Sequence, residues 1–157
     1  TIHKASVLNV IPPQRAGIIT ERAGVADASG WVPVHPDGFE SRQVKDIYVL
    51  GDATIAAPMP KSGFVANVQG RMAAGVIAAD LTGLPRPKPT YANTCYSLVA
   101  PGYAISVSGL YEAKDDQLVE LPGLGTSPLD ADSAYRAQEA SNSMGWYESI
   151  STEIWDQ

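Results

Sequence analysis

Asp46-Ile47-Tyr48-Val49-Leu50-Gly51-Asp52 sets four consecutive apolar residues before a Gly-Asp pair. An apolar run without alternation suits a strand covered on both faces, as in a parallel sheet, and it is the strongest strand signal in the chain. A proline-rich link, Ala57-Pro58-Met59-Pro60-Lys61, follows. The spacing then predicts a helix from Ser62 to about Leu81, stopped by Gly83 and Pro85. Phe64, Val68, Met72, Val76 and Ala79 recur at helical steps as its core stripe, while Ala66, Gly70, Ala73, Ala74 and Gly75 are small enough for close backbone contact.

Upstream, Ala5-Ser6-Val7-Leu8-Asn9-Val10-Ile11 reads as a buried strand ended by Pro12-Pro13. From Gly17 to Arg42 turns dominate, with Trp31-Val32-Pro33-Val34 as a short strand. Downstream, Pro85-Arg86-Pro87-Lys88-Pro89 is a stiff extended connector, and the domain boundary is placed there, giving units 1–89 and 90–157. Beyond it the period changes to two. Ile105, Val107 and Tyr111 alternate with Ser106 and Ser108, and Lys114-Asp115-Asp116-Gln117 turns the chain into Leu118-Val119-Glu120-Leu121. Asp130 is then expected to cap a terminal helix running to about Trp155, with Tyr135, Met144, Tyr147, Ile150 and Ile154 on its apolar side. The fold class is therefore α/β, a parallel strand–helix unit joined to a small α+β cap with antiparallel strands and a terminal helix.

Composition narrows the function. The chain has 157 residues, enough to bury a real core, and 45 % hydrophobic content excludes disorder throughout. A net charge of −6 without a Lys/Arg block argues against nucleic-acid binding and leaves room for a basic partner. No stretch approaches the roughly 20 apolar residues of a membrane span. The start, Thr1-Ile2-His3-Lys4, has neither initiator Met nor signal segment, so a soluble chain cut from something larger is expected. With Cys95 as the only cysteine and His3 and His35 as the only histidines, an internal disulfide and a closed zinc site are both excluded.

Gly51-Asp52 at a strand's carboxyl end suits ligand binding, because glycine permits close backbone approach and the aspartate can accept from a sugar or ribityl hydroxyl. The bland reading is a common turn. The helix beginning at Ser62 raises the functional reading by aiming unpaired N–H groups at the same edge. Lys61-Ser62 lacks the glycines of a phosphate loop, and Pro60 lacks a donor, so a nucleoside-triphosphate site is rejected. Cys95, by composition alone, is a small buried hydrophobe. No Gly-x-Ser-x-Gly elbow occurs, and His3 and His35 read as exposed structural residues. The carboxylates Asp115-Asp116 and Asp130/Asp132 read as a turn and a helix cap, and Tyr135, Trp146, Tyr147 and Trp155 as core or interface anchors.

Val49-Leu50-Gly51-Asp52-Ala53, Pro58-Met59-Pro60-Lys61-Ser62-Gly63-Phe64-Val65-Ala66-Asn67, Asn93-Thr94-Cys95-Tyr96-Ser97 and Pro101-Gly102-Tyr103-Ala104-Ile105-Ser106-Val107 together resemble the flavoprotein subunit of flavocytochrome c sulfide dehydrogenase. The likeness runs from Asn9-Val10-Ile11-Pro12-Pro13 to the helix containing Trp146-Tyr147. It implies the carboxyl-terminal part of a glutathione-reductase-like flavoprotein: residues 1–15 return from the second dinucleotide-binding domain, 16–89 complete the FAD domain, and 90–157 form the flavin-binding cap. The Gly-x-Gly-x-x-Gly turn for the FAD pyrophosphate would lie upstream. By the same resemblance Asp52, with Gly51, meets the ribityl chain, and Met59, Pro60, Lys61 and Ser62 bring the helix start to the flavin N1/O2 edge, where a positive helix end favours reduced flavin.

Cys95 matches one member of the family's redox disulfide, its partner lying upstream. The implied chemistry is attack of sulfide on that disulfide, transfer of two electrons to flavin, and single-electron release to a cytochrome c subunit, in the periplasm. This chain alone is expected to be inactive, not to retain FAD, and to be prone to homo-oligomers. The rivals are a quinone-linked sulfide oxidase, disfavoured by a terminal helix without a basic face, and a docking or dimerisation module in which Cys95 is incidental.

Overall fold

The computed structural model describes residues 4–155, so His3 lies outside them. In chain order the elements are α1 (Ile18–Arg22), β1 (Val32–Pro33), a 3-10 turn (Gly51–Ala53), β2 (Thr54–Ile55), α2 (Gly63–Thr82), β3 (Thr90–Ala100), β4 (Tyr103–Lys114), β5 (Gln117–Leu121) and α3 (Ser133–Trp155). β1 and β2 pair in parallel, Val32 opposite Thr54, and β3-β4-β5 form an antiparallel sheet. The class is thus mixed α/β with a parallel pair, an antiparallel sheet and a terminal helix.

Helix α2 begins and ends where the sequence places it. The Ser62 hydroxyl accepts from the Val65 N–H at 3.1 Å, and Gly83 closes the other end at φ 71° in the left-handed region open to glycine. Its stripe is turned by one position, however. Val65, Gln69, Ala73, Val76 and Ala79 are buried, whereas Phe64, Val68 and Met72 are only half-buried. The core it faces lies on the Val65 side, where Val25, Val32, Val34, Phe39, Ala56 and Met59 meet Tyr91 and Tyr111 of the antiparallel sheet. Phe39 and Tyr91 pack edge to face at 5.3 Å, and the Tyr91 hydroxyl donates to the Pro36 carbonyl. Small residues permit the close contacts: a Cβ on Gly75 would stand 3.2 Å from Pro87 Cγ.

Two expected strands are corrected. Residues 5–11 form no strand and lie exposed, Val7 at 88 % and Ile11 at 80 %, because no sheet edge among the described residues pairs with them. Ile47-Tyr48-Val49-Leu50 is not a parallel strand either. Its neighbour is the 39–41 segment, which runs antiparallel: Ser41 donates to the Ile47 carbonyl, Val49 to that of Phe39, and Tyr48 makes one bridge to Glu40. The parallel pairing falls instead on β1 and β2.

In the antiparallel sheet Cys95 stands opposite Val107, and Asp115 and Asp116 form the tight β4–β5 turn with φ of 52° and 59°. Ile105 and Val107 are exposed, while Ser106, on the opposite face, meets α3. The helix explains this. Its buried residues are Arg136, Glu139 and Ala140, and Glu139 accepts from Ser106 and Ser127. Helix α3 therefore presents a hydrogen-bonding face to the sheet, and the expected apolar residues Tyr135, Met144, Tyr147 and Ile154 are exposed. Asp132 supplies the cap, accepting from the Tyr135 N–H at 2.8 Å, two residues later than expected. Of the aromatic anchors, Trp146 stacks on Phe64 at 5.6 Å, and Trp155 is exposed. No helix among the described residues is long and apolar enough to cross a membrane.

Candidate functional site

The loop between the 3-10 turn and α2 folds back on itself. Met59 N–H bonds to the Ala56 carbonyl, and the Lys61 ammonium reaches back to the carbonyls of Asp52 and Thr54 while lying 3.9 Å from the centre of the Trp31 ring. Burial pushes the Lys61 ammonium below its ordinary range, against the pull of the Asp52 charge. Lys61 is thereby fixed as a bracket rather than a free surface cation. Gly51 holds φ 68°, and a Cβ there would stand 3.2 Å from the Ala66 Cβ, so glycine lets the turn sit against α2. Its N–H donates to Gln69 Oε1 at 2.6 Å, and its carbonyl accepts from the Thr54 hydroxyl at 2.8 Å.

This arrangement encloses a cavity of about 230 Å³ between loop and helix. Gly51, Met59, Pro60 and Lys61, four of the six expected cofactor-binding residues, line it together with Trp31, Ile55 and Gln69. Met59 also belongs to the buried core. Asp52 and Ser62 do not line it: the Asp52 side chain is exposed and makes no hydrogen bond among the described residues, and Ser62 caps α2.

From Ser62 the contacts run to the sheet. Its hydroxyl accepts from Val65 N–H, so its single hydrogen is free to be donated, and it goes to Asn93 Oδ1 at 2.8 Å. Asn93 is 2 % exposed, and its Nδ2 lies 3.5 Å from Cys95 Sγ. Cys95 is half-buried on β3, its nearest hydrogen-bonding partner being this amide. The Tyr111 hydroxyl is pushed above its ordinary range by burial first, then by Glu120 and Cys95. Cys95 is thus joined through one buried side chain to the cap of α2, whose N-terminus carries partial positive charge.

Residues 87–155 match the family described as flavocytochrome c sulphide dehydrogenase, flavin-binding. The match spans β3, β4, β5 and α3, and it bears out the resemblance to the flavoprotein subunit read from the sequence. A domain of that description takes a flavin. Cys95 lies within the matched segment, whereas Gly51, Asp52 and Met59 to Ser62 lie before it.

The cavity itself suits part of a flavin. Its walls are largely apolar, and Gly51 allows close approach. At about 230 Å³ it is below the roughly 300–1,000 Å³ of complete ligand pockets, so it would hold one end of a ring system rather than a dinucleotide. Gln69, Trp31 and Asn93 were not singled out from sequence. A glutamine inside a run of small and apolar helical residues, seven positions from the cap, was the available signal for Gln69; Asn93 had none beyond its place two residues before Cys95.

Proposed function

We propose that this chain is the carboxyl-terminal part of an FAD-dependent sulfide dehydrogenase that passes electrons to a cytochrome c subunit, with Cys95 as its redox sulfur. The observation that carries the reading is the position of Cys95: on the strand that opens the flavin-binding segment, and tied through Asn93 to Ser62 at the start of α2.

In this reading Cys95 forms a disulfide with a second cysteine outside this chain. Hydrosulfide attacks one sulfur of that bond; a new sulfur–sulfur bond forms on it, and the other sulfur leaves as thiolate with the electron pair. The sulfide sulfur is thereby oxidised and the disulfide reduced, with no other reductant. Asn93 Nδ2 is placed to donate to Cys95 when that sulfur is ionised, and the positive end of α2 favours negative charge in the same neighbourhood. Asp52, in the middle of the 3-10 turn, has an exposed side chain with no hydrogen bond among the described residues and can accept from a ribityl hydroxyl. When bound, the flavin would supply two-electron acceptance and one-electron release.

The test is Cys95→Ser in the complete flavoprotein containing this chain, following bleaching of the visible flavin absorbance on sulfide addition. Loss of sulfide-dependent bleaching with flavin still bound is expected. Unchanged bleaching would remove the redox role and leave a docking or dimerisation module.

A further inference from the structure

We propose that Tyr111 is a further residue of the sulfur site: its phenol hydroxyl, held over Gly109 on the sheet face that carries Cys95, donates a hydrogen bond to the Cys95 sulfur when that sulfur is ionised. This rests on the redox reading above and adds to it a donor from β4.

Strand register brings the groups together. Residues directly opposite in an antiparallel pair point to the same face, and Cys95 stands opposite Val107, Asn93 opposite Gly109 and Tyr91 opposite Tyr111. All six share the face opposite Ser106 and α3. Gly109 then decides where the phenol goes. A Cβ on Gly109 would stand 2.7 Å from the ring carbon that bears the Tyr111 hydroxyl, so the ring lies along β4 over a residue without a side chain. The hydroxyl end is thereby directed along the strand towards Val107, level with Asn93 and one cross-strand diagonal from Cys95. Beyond it the face opens, with Cys95 half-buried and Val107 and Ile105 exposed.

The hydroxyl has no other use among the described residues. Tyr111 is only 4 % exposed and its hydroxyl makes no hydrogen bond there, whereas the Tyr91 hydroxyl donates to the Pro36 carbonyl. A buried hydroxyl without a partner is costly, so an acceptor arising beside it is strongly favoured. Cys95 becomes such an acceptor on ionisation. Its sulfur lies 3.5 Å from both atoms of the Asn93 amide, Oδ1 to accept the thiol hydrogen and Nδ2 to donate once that hydrogen is gone. A thiolate has lone pairs for a second donor. Burial first, then Glu120 of β5 and Cys95, push the Tyr111 hydroxyl above its ordinary value of 10, so the phenol keeps its proton where a thiol loses its own. Tyr111 therefore donates a hydrogen bond, and no proton changes hands.

The experiment uses the complete flavoprotein containing this chain, its disulfide reduced by a phosphine. Alkylation of Cys95 by iodoacetamide is followed across pH through the mass of the peptide that carries it. Tyr111→Phe keeps the ring over Gly109 and removes only the hydroxyl. It is expected to move the midpoint of the pH–rate profile up by about one unit, which is about tenfold less thiolate below the midpoint. Tyr91→Phe removes a hydroxyl already committed to Pro36 and is expected to leave the midpoint in place, so a weakened core alone does not imitate the effect. Circular dichroism checks that each variant is folded. In the wild type, the carbon-13 resonance of Tyr111 Cζ is expected to shift with the same midpoint as the alkylation, a measurement that needs no variant.

An unmoved midpoint in a folded Tyr111→Phe protein, an equal move in Tyr91→Phe, or a Tyr111 resonance indifferent to ionisation of Cys95 would each overturn the assignment. Failure here is separable from failure of the redox reading. An unmoved midpoint leaves the loss of sulfide-dependent bleaching in Cys95→Ser as it is, and a Cys95→Ser protein that still bleaches leaves the midpoint shift, a property of the thiol alone, intact.

Discussion

Asn93 Oδ1 accepts the Ser62 hydroxyl hydrogen at 2.8 Å, joining the cap of α2 to the strand that carries Cys95. Because Ser62 simultaneously accepts from Val65, the pair belongs to the helix start and to the sheet at once. Asn93→Leu removes the acceptor and leaves the Ser62 hydroxyl without its partner, so it should lower unfolding stability by about 1–3 kcal/mol in urea melts. Asn93→Asp keeps the acceptor and places negative charge beside Sγ. It should therefore make Cys95 alkylate more slowly with iodoacetamide than it does in the wild type, because the reactive form is the thiolate. Equal alkylation rates in folded proteins would show that Asn93 has no electrical effect on the sulfur.

Gly51 combines a left-handed backbone with a close approach to Ala66. Gly51→Ala adds a Cβ that disfavours φ 68° and crowds the Ala66 methyl, so it should cost about 1–2 kcal/mol and lower Tm by several degrees. Differential scanning calorimetry measures both. An unchanged Tm would mean that the turn can relax without losing its contact with α2.

Phe64 and Trp146 stack at 5.6 Å with ring planes 18° apart, pinning the middle of α3 to the first turn of α2. A double-mutant cycle with Phe64→Leu and Trp146→Leu should give a coupling of about 0.5–1.5 kcal/mol.

Glu139 gives the fold a dependence on acid. Burial alone would push its carboxyl up, but hydrogen bonds from Ser106, Ser127 and Arg136 outweigh burial and hold it below its ordinary value of 4.5. A carboxyl lowered by folding binds its proton more tightly in the unfolded chain. Its stabilisation is thus full well above 4.5 and is lost as pH falls through the lower folded-state value. Near neutrality Glu139→Ala should cost about 3–5 kcal/mol, since it leaves Arg136, only 4 % exposed, without its counter-charge. The gap between wild type and variant should narrow in urea melts at about pH 3.

Local features were legible from the sequence because their causes are local. The Ser62 cap and Gly83 stop of α2, the Asp115-Asp116 turn and the alternating strands on either side of it are each set by a residue's own backbone preference or hydroxyl. The motif around Cys95 was also visible, and it lies within the flavin-binding match over residues 87–155, whereas Gly51-Asp52 and Met59 to Ser62 precede that match.

What the sequence could not decide was which neighbour each segment would meet. The apolar run at 47–50 could pair in parallel only if a parallel strand lay beside it, and the segment folded against it is the antiparallel 39–41 stretch. Helix α3 turns Arg136 and Glu139 inward because Ser106, Ser127 and the Pro128 carbonyl wait there, a choice that hydrophobic periodicity cannot register. The same holds for the site: residue types named the sulfur and the glycine turn, but only tertiary packing put Asn93 between Ser62 and Cys95 and set Gln69 Oε1 against the Gly51 N–H. Backbone propensity is a property of each residue, whereas burial and hydrogen-bond satisfaction are properties of pairs that distant parts of the chain bring together.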